Sequence, residues 1–177
     1  MNFDQQTIWL EIDLGAIRRN IQRIQALTKR PVMAVLKANA YGHGLIEVSK
    51  TAVKAGAAWL CLARVEEAIR LREAGLSVPI LVMGYTQPDR VKDAIEYKIS
   101  LMVNNPDLAH AYHQAAKQVK GKVSVHAKVD TGMGRLGVLY EEAVDFGRQI
   151  AGLDHLDFEG LFTHFACADE PGKPITD

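Results

Sequence analysis

Cysteine, net charge and long apolar runs are all scarce in this sequence. The two cysteines, Cys61 and Cys167, form no short-spaced framework, which excludes a disulfide-stapled scaffold and favours a reducing cytoplasm. The 21 basic and 21 acidic side chains balance, so neither a nucleic acid nor a membrane surface is expected as a partner. No apolar run is long enough to span a bilayer, and residues 1–10 lack the apolar core of a signal peptide. The composition is that of a globular protein with one sizeable core.

Strand-like and helix-like segments alternate along the 177 residues. Apolar runs predict strands over 32–36, 58–63, 79–83, 100–103, 122–130 and 156–165, with a further short strand over 8–12. Helical periodicity predicts helices over 14–28, 46–55, 65–74, 88–97, 106–119 and 141–150, the first capped by Asp13. Such alternation is typical of parallel βαβ units.

A doubly wound sheet and a closed barrel both satisfy this alternation. The fifth strand favours the barrel, because Ser124, His126, Lys128 and Asp130 share one face. An open sheet covered on both sides needs two apolar faces, whereas a barrel collects polar groups at the carboxyl ends of its strands. About six βα strands are found where such a barrel has eight and roughly 250 residues. The predicted fold class is therefore α/β, a (β/α)8 TIM-type barrel truncated after about six strands.

Lys37 ends the first buried strand and is followed by small and polar residues, including Asn39, Tyr41 and His43. An amine at the mouth of a buried strand is placed to be partly desolvated, which makes it nucleophilic toward a carbonyl. A solvated lysine that only caps the strand is the alternative. Asn39 fits a turn and His43 the start of a helix, so structural roles are expected for both.

Residues 132–137 match the G-x-G-x-x-G dinucleotide fingerprint, and Asp157 lies about twenty residues further on. The context argues against that interpretation. The preceding strand is polar on one face, Asp130 and Thr131 intervene, and the next helix begins only near Tyr140. The competing interpretation is that the glycines let the backbone pass close to a ligand that Arg135 reaches.

No metal is expected. His110 and His113, and likewise His164 and Cys167, have a spacing that could bind one, but no further ligands complete either set. A phosphate-cradling P-loop and a G-x-S-x-G elbow are both absent from the sequence.

Three motifs together resemble those of the alanine racemases. They are the segments 35–44 (VLKANAYGHG), 128–137 (KVDTGMGRLG) and 163–166 (THFA), and the opening residues 9–14 (WLEIDL) are also similar. The resemblance runs from about Thr7 to the last residue. It implies an N-terminal (β/α)8 barrel carrying pyridoxal 5'-phosphate, followed by a β-rich domain.

The resemblance also implies roles for individual residues. Lys37 resembles the lysine that forms the internal aldimine and then moves the Cα proton on one face. Tyr41 is similar to the tyrosine that binds the cofactor phosphate. Arg135 resembles the arginine near the phenolic oxygen and the substrate carboxylate. Lys128 is similar to a lysine that is often carbamylated, and His164 to the histidine behind the cofactor ring.

The chain departs from the family pattern by stopping after the sixth strand. Residues 1–177 would be the N-terminal portion of the barrel, without its last units or the β domain. The resemblance implies that the missing barrel units supply much of the phosphate site. It also implies that the β domain of the other subunit of a homodimer supplies the second base. We therefore expect interconversion of L- and D-alanine, for cell-wall supply, by the full-length protein and not by this chain alone. The open strand edges would favour self-association. A pyridoxal-phosphate-binding protein without racemase activity, a racemase of another amino acid such as serine, and a nucleotide-binding module remain alternatives.

Overall fold

A computed structural model describes residues 7–170 and 172–173. Within them, parallel strands lie side by side in the order in which they occur along the chain. The strands are β1 (Met33–Val35), β2 (Trp59–Leu62), β3 (Ile80–Val82), β4 (Ser100–Val103), β5 (Val123–Asp130), β6 (Val138–Leu139) and β7 (Leu156–Phe162). The two-residue β6 pairs only with the end of β5, and β7 pairs along the length of β5.

One helix precedes β1, and further helices lie in the connections between strands. They are α1 (Leu14–Thr28), α2 (Lys37–Tyr41, a short segment with left-handed backbone), α3 (Leu45–Lys54), α4 (Val65–Glu73), α5 (Val91–Glu96), α6 (Pro106–Gln118) and α7 (Ala143–Ala151), with 3₁₀ turns over Pro88–Arg90 and Tyr140–Glu142 before α5 and α7. Among the described residues, no helix combines the length and apolar character needed to cross a bilayer.

The sequential strand order decides between the two architectures. A doubly wound sheet reverses direction at a switch point, whereas this sheet runs β1-β2-β3-β4-β5-β7 without a reversal. Sequential parallel pairing is the arrangement of a (β/α)8 barrel. The prediction of a TIM-type barrel with six principal strands is therefore confirmed.

The sheet has two different faces. Side chains such as Leu60, Val82, Leu101 and Val125 pack with the helices in one continuous apolar core. Cys61 and Met102, on the other face of the sheet, are also buried but do not belong to that core. Because side chains alternate across a strand, this second face is the interior of the barrel.

Most predicted segments are confirmed with small shifts at their ends. The first helix begins and ends where the pattern placed it, and the Asp13 carboxylate accepts a hydrogen bond from the Ala16 N–H at 3.0 Å. The strand predicted over 8–12 is wrong, because this segment pairs with no other strand among the described residues. Ile8 is 88% exposed. The strand predicted over 156–165 ends at Phe162.

Candidate active site

Lys37 lies directly at the carboxyl end of β1. The Leu36 N–H donates to the Cys61 carbonyl at 2.8 Å, so pairing with β2 continues up to the residue before the lysine. The Lys37 side chain is half-buried. Since all the principal strands are parallel, groups at their carboxyl ends share one mouth of the barrel, which is where such folds keep their chemistry.

The backbone after Lys37 turns with left-handed geometry. Ala38, Asn39, Ala40 and Tyr41 have φ between 53° and 56°, although none of them is glycine. This conformation costs L-residues roughly 1–2 kcal/mol each. Hydrogen bonds close the turn, for example from the Ala40 N–H to the Leu36 carbonyl at 3.0 Å. Four consecutive strained residues beside one lysine indicate a functional constraint.

Two side chains fasten this turn to its surroundings. The Asn39 amide oxygen accepts from the Leu45 N–H at 2.9 Å, and the Glu67 carboxylate accepts from the Asn39 N–H at 3.3 Å. The His43 ring Nδ1 lies 2.9 Å from the Ala40 carbonyl oxygen, where it donates. The structural roles predicted for Asn39 and His43 are confirmed. Glu67 was missed, because its partner lies 28 residues away in the sequence.

Tyr41 ends the left-handed turn and is 57% exposed. Its phenol therefore stands at the surface of the turn rather than in the core. That position leaves the hydroxyl free to meet a ligand at the mouth of the barrel, and its proposed contact with a phosphate stays a prediction.

Lys128 is buried on the interior face of β5. Its Nζ donates to the Val129 carbonyl at 3.0 Å and lies 5.6 Å from the centre of the Phe162 ring. Burial lowers the pKa of the Lys128 amine; the Arg135 charge acts in the same direction, while Asp130 opposes it. No carboxylate of the described residues is bonded to this amine, so burial weakens its preference for the charged form.

The glycine-rich loop after β5 wraps around the Asp130 carboxylate. This carboxylate accepts hydrogen bonds from the N–H groups of Gly132 at 2.9 Å, Gly134 at 3.1 Å and Arg135 at 3.1 Å. These backbone bonds, led by the one from Gly134, hold the pKa of Asp130 below its usual value. The loop therefore binds its own anion, and the Arg135 side chain is exposed beside it.

The dinucleotide interpretation fails on this geometry. The amides that would hold a pyrophosphate are bonded to Asp130. Asp157 lies near the start of β7, where it accepts from Ser124 Oγ at 3.2 Å, at the end of the sheet opposite the glycines. From the sequence, Asp130 was placed on a polar face and before the glycines, but its bonds to the loop were missed; an aspartate two residues before a glycine cluster was the available signal.

His164 follows the carboxyl end of β7 and is exposed. The preceding Thr163 Oγ1 donates to the Val129 carbonyl at 2.8 Å and lies 2.8 Å from Thr131 Oγ1, which therefore donates to it. These two threonines, which sequence reasoning missed, tie the segment bearing His164 to the end of β5. Lys37, Lys128, Arg135 and His164 thus all belong to carboxyl ends of strands in one sheet.

The interior of the barrel also contains a polar cluster near the amino ends of the strands. His126 Nε2 lies 3.0 Å from Glu159 Oε2, to which Ser100 Oγ also donates, and the Trp59 and His126 rings meet edge to face. A cavity of about 330 Å³ opens beside Ser100 and Glu159. This end of a barrel serves stability rather than chemistry.

The remaining histidines lie outside the mouth. His113 on α6 packs edge to face against His155, with ring centroids 5.3 Å apart. Across residues 7–170 and 172–173, no three His, Cys, Asp or Glu side chains come together in a way that could hold a metal ion. Cys61 and Cys167 are both free thiols.

Known proteins match this chain over almost its whole length. Residues 12–177 match the family described as alanine racemase, N-terminal domain. An alanine racemase of Symbiobacterium thermophilum is 44% identical over 169 residues, covering 95% of this chain and 45% of the relative. One of Desulforamulus reducens is 47% identical over 175 residues, covering 97% and 47%. The chain thus spans about half the length of the curated relatives it matches.

Solved structures agree with the sequence matches. An alanine racemase of Clostridium difficile 630 has a TM-score of 0.87 and 39% identity, covering 97% of this chain and 46% of that one. A histidine racemase from Leuconostoc mesenteroides has a TM-score of 0.83 and 35% identity, covering 92% and 44%.

Fold and site together define the class: a TIM-type α/β barrel portion whose mouth presents a lysine on a strained turn and an arginine on a glycine-rich loop. Within that class, the chain belongs to the alanine racemase N-terminal domain family.

Proposed function

We propose that this chain is the N-terminal portion of the barrel of a pyridoxal-phosphate-dependent alanine racemase. The last barrel units and a β-rich domain would belong to the rest of a longer protein. The observation that carries the proposal is Lys37, which lies just past the carboxyl end of the first barrel strand and precedes a left-handed turn of four non-glycine residues. Membership in the family and the names of its relatives support the same activity.

The residues at the mouth fit pyridoxal phosphate chemically. The cofactor presents an aldehyde, a phosphate and a phenolic oxygen. Lys37 supplies an amine for the aldehyde, Tyr41 a hydroxyl for the phosphate, and Arg135 a guanidinium for the phenolic oxygen or a substrate carboxylate. His164, after β7, would support the ring from behind. The exposed side chains of Tyr41, Arg135 and His164 are accessible to such a ligand.

Racemisation requires that a Cα proton leave one face and return to the other. When bound, pyridoxal phosphate acidifies Cα by delocalising the electron pair left behind. Lys37, with its backbone held by the strained turn, would move the proton on one face. Arg135 would orient the carboxylate of alanine, because a planar guanidinium can bind both carboxylate oxygens.

Lys128 is the proposed site of carbamylation. A neutral amine adds to carbon dioxide and loses a proton, which yields a carbamate anion. Burial lowers the pKa of Lys128 and so favours the neutral amine that this reaction needs. A protonated Lys128 repels Arg135, whereas the carbamate anion would attract it.

The 177-residue chain by itself is proposed to be inactive. Lys37 is the one base that we assign to Cα in this chain, and it would serve one face only. The second base is expected from a homodimer of the full-length protein. The expected cellular role is the supply of D-alanine for the cell wall from the cytoplasm, a compartment that suits the two free cysteines.

The cofactor proposal is tested by trapping. The chain is incubated with pyridoxal phosphate, reduced with borohydride, digested and analysed by mass spectrometry for a pyridoxyl group. We expect the label on Lys37, its loss in Lys37→Ala, and no change in Lys54→Ala, an exposed lysine on α3. Label spread evenly over surface lysines would contradict the proposal.

Activity is tested with the full-length protein that contains this chain. Conversion of L-alanine to D-alanine is expected there, and no turnover is expected from the 177 residues alone. Turnover by the isolated chain would contradict the need for a second base.

A racemase of another amino acid is the second candidate function, because the similar Leuconostoc mesenteroides protein is a histidine racemase. Parallel assays of the full-length protein with alanine, serine and histidine separate the two. A pyridoxal-phosphate-binding protein without racemase activity would label at Lys37 and turn over none of them.

A further inference from the structure

Glu67 on α4 uses its two carboxylate oxygens for two different purposes. Oε2 accepts hydrogen bonds from the N–H groups of Ala63 at 3.1 Å and Arg64 at 3.2 Å, which fixes the start of α4 after β2. Oε1 accepts from the N–H of Asn39 at 3.3 Å, on the turn that follows β1. One half-buried carboxylate thus links the segments that follow two neighbouring strands, β1 and β2.

Asn39 extends this connection to a third element. It lies two residues after Lys37 in the left-handed turn. Its side-chain oxygen accepts from the Leu45 N–H at 2.9 Å at the start of α3, and its carbonyl accepts from the Gly44 N–H at 3.0 Å. A continuous set of hydrogen bonds therefore runs from α4, through the turn beside the lysine, to α3.

We propose that Glu67 is a positioning residue for Lys37. The turn is strained at four residues, and only Ala40 among them is buried, so packing does little to hold it. A strained segment persists only where its surroundings over-determine it. The Glu67 carboxylate supplies that restraint from outside the turn. By fixing the backbone of the turn, it also fixes the direction of the Lys37 side chain. This inference rests on the proposed role of Lys37 in holding the cofactor.

The proposal requires a carboxylate and not merely a capping side chain. In Glu67→Gln, the amide keeps one oxygen acceptor and replaces the other with a donor. Glutamine serves as well as glutamate at the third position of a helix cap, so the bonds to Ala63 and Arg64 are retained. The Asn39 N–H then loses its acceptor. Glu67→Gln is therefore expected to remove the hydrogen bond that holds the turn while keeping those that hold the start of α4.

Amide hydrogen exchange, followed by NMR on the 177-residue chain, tests the restraint directly. In Glu67→Gln we expect the Asn39 amide to exchange about tenfold faster or more, the size expected for losing a hydrogen bond to a charged group. The Ala63 and Arg64 amides keep their protection. In Glu67→Ala all three exchange faster. Unchanged exchange at Asn39 in both variants would overturn the proposal.

Trapping of pyridoxal phosphate by borohydride tests the consequence for Lys37. Labelling of Lys37, measured against Lys54 in the same sample, should fall roughly tenfold in both variants, because a small misplacement of a reacting group costs that much or more. Glu73→Ala, an exposed glutamate on the same helix, is the matched control and should label normally. Normal labelling in Glu67→Gln alongside faster Asn39 exchange would overturn the positioning role. Absence of label on Lys37 in the unsubstituted chain would instead refute the proposed function. The exchange experiment would still show whether Glu67 restrains the turn.

Discussion

The loops after β1 and β5 both contain residues with positive φ, but they use different residue types at those positions. After β1, four residues with side chains adopt φ near 55°. After β5, the positive φ values fall on glycines, at 119° for Gly132, 66° for Gly134 and 118° for Gly137. Glycine reaches these conformations without steric strain. The lysine turn is therefore a strained loop and the glycine loop is a relaxed one.

The two loops also differ in where the side chain that holds each of them comes from. Asp130, which organises the glycine loop, lies two to five residues before the amides it binds. Glu67, which meets the lysine turn, lies 28 residues from Asn39 on another element. A relaxed loop can be held by a local side chain, whereas the strained one depends on tertiary structure. This contrast suggests three experiments.

The largest effect is expected in the relaxed loop, from Gly137→Ala. A Cβ at Gly137 would lie 2.7 Å from the Asp130 nitrogen and 2.8 Å from the Lys128 oxygen, both backbone atoms that cannot move aside cheaply. We expect a loss of roughly 3 kcal/mol or more in the free energy of unfolding. Gly134→Ala is the control, since a Cβ there meets nothing within 4 Å. It should cost only about 1–2 kcal/mol. Equal losses in urea denaturation would show that the close approach at Gly137 is unimportant.

A smaller effect of opposite sign is expected in the strained loop, from Ala38→Gly. Ala38 is exposed and has φ 53°, so glycine relieves roughly 1–2 kcal/mol of strain. The greater freedom of the unfolded chain offsets about 0.4–1 kcal/mol. A net gain in unfolding free energy of about 0.5–1 kcal/mol should result.

An alanine-to-glycine substitution in a right-handed helix is the matched control for Ala38→Gly. Ala26 is exposed on α1, where Ala26→Gly should cost about 1 kcal/mol. Destabilisation by Ala38→Gly as large as that at Ala26 would mean that the turn is not strained.

The smallest effect concerns the pH dependence of Asp130. Its pKa is held below the usual carboxyl value in the folded chain, so its stabilisation of the loop is present above that value. The stabilisation is lost as pH falls through the lowered pKa. We expect protection of the Gly134 and Arg135 amides to decline only in acid. In Asp130→Asn the protection should be weaker at neutral pH and should no longer respond to acid. NMR exchange corrected for the intrinsic rate measures this, and an acid-sensitive Asp130→Asn loop would assign the titration to another group.

Much of this architecture was predictable because it follows from local patterns. The alternation of apolar segments placed six strands, and Asp13 marked the start of α1. The polar face of β5 indicated a barrel, and Lys128 on that face is buried in the interior. The strand predicted over 8–12 was wrong because β-propensity cannot supply the partner strand that pairing requires.

The sequence by itself determined which residues end the parallel strands, and so placed Lys37 and Arg135 at one mouth. It also determined the relaxed loop, since glycines and a preceding aspartate act within a few residues. Only the tertiary structure decided the left-handed turn after Lys37. Alanine and tyrosine on their own favour right-handed or extended backbone. The strained alternative is supported by the Glu67 carboxylate, which accepts from the Asn39 N–H across the fold, and by the Leu45 N–H, which donates to the Asn39 side chain.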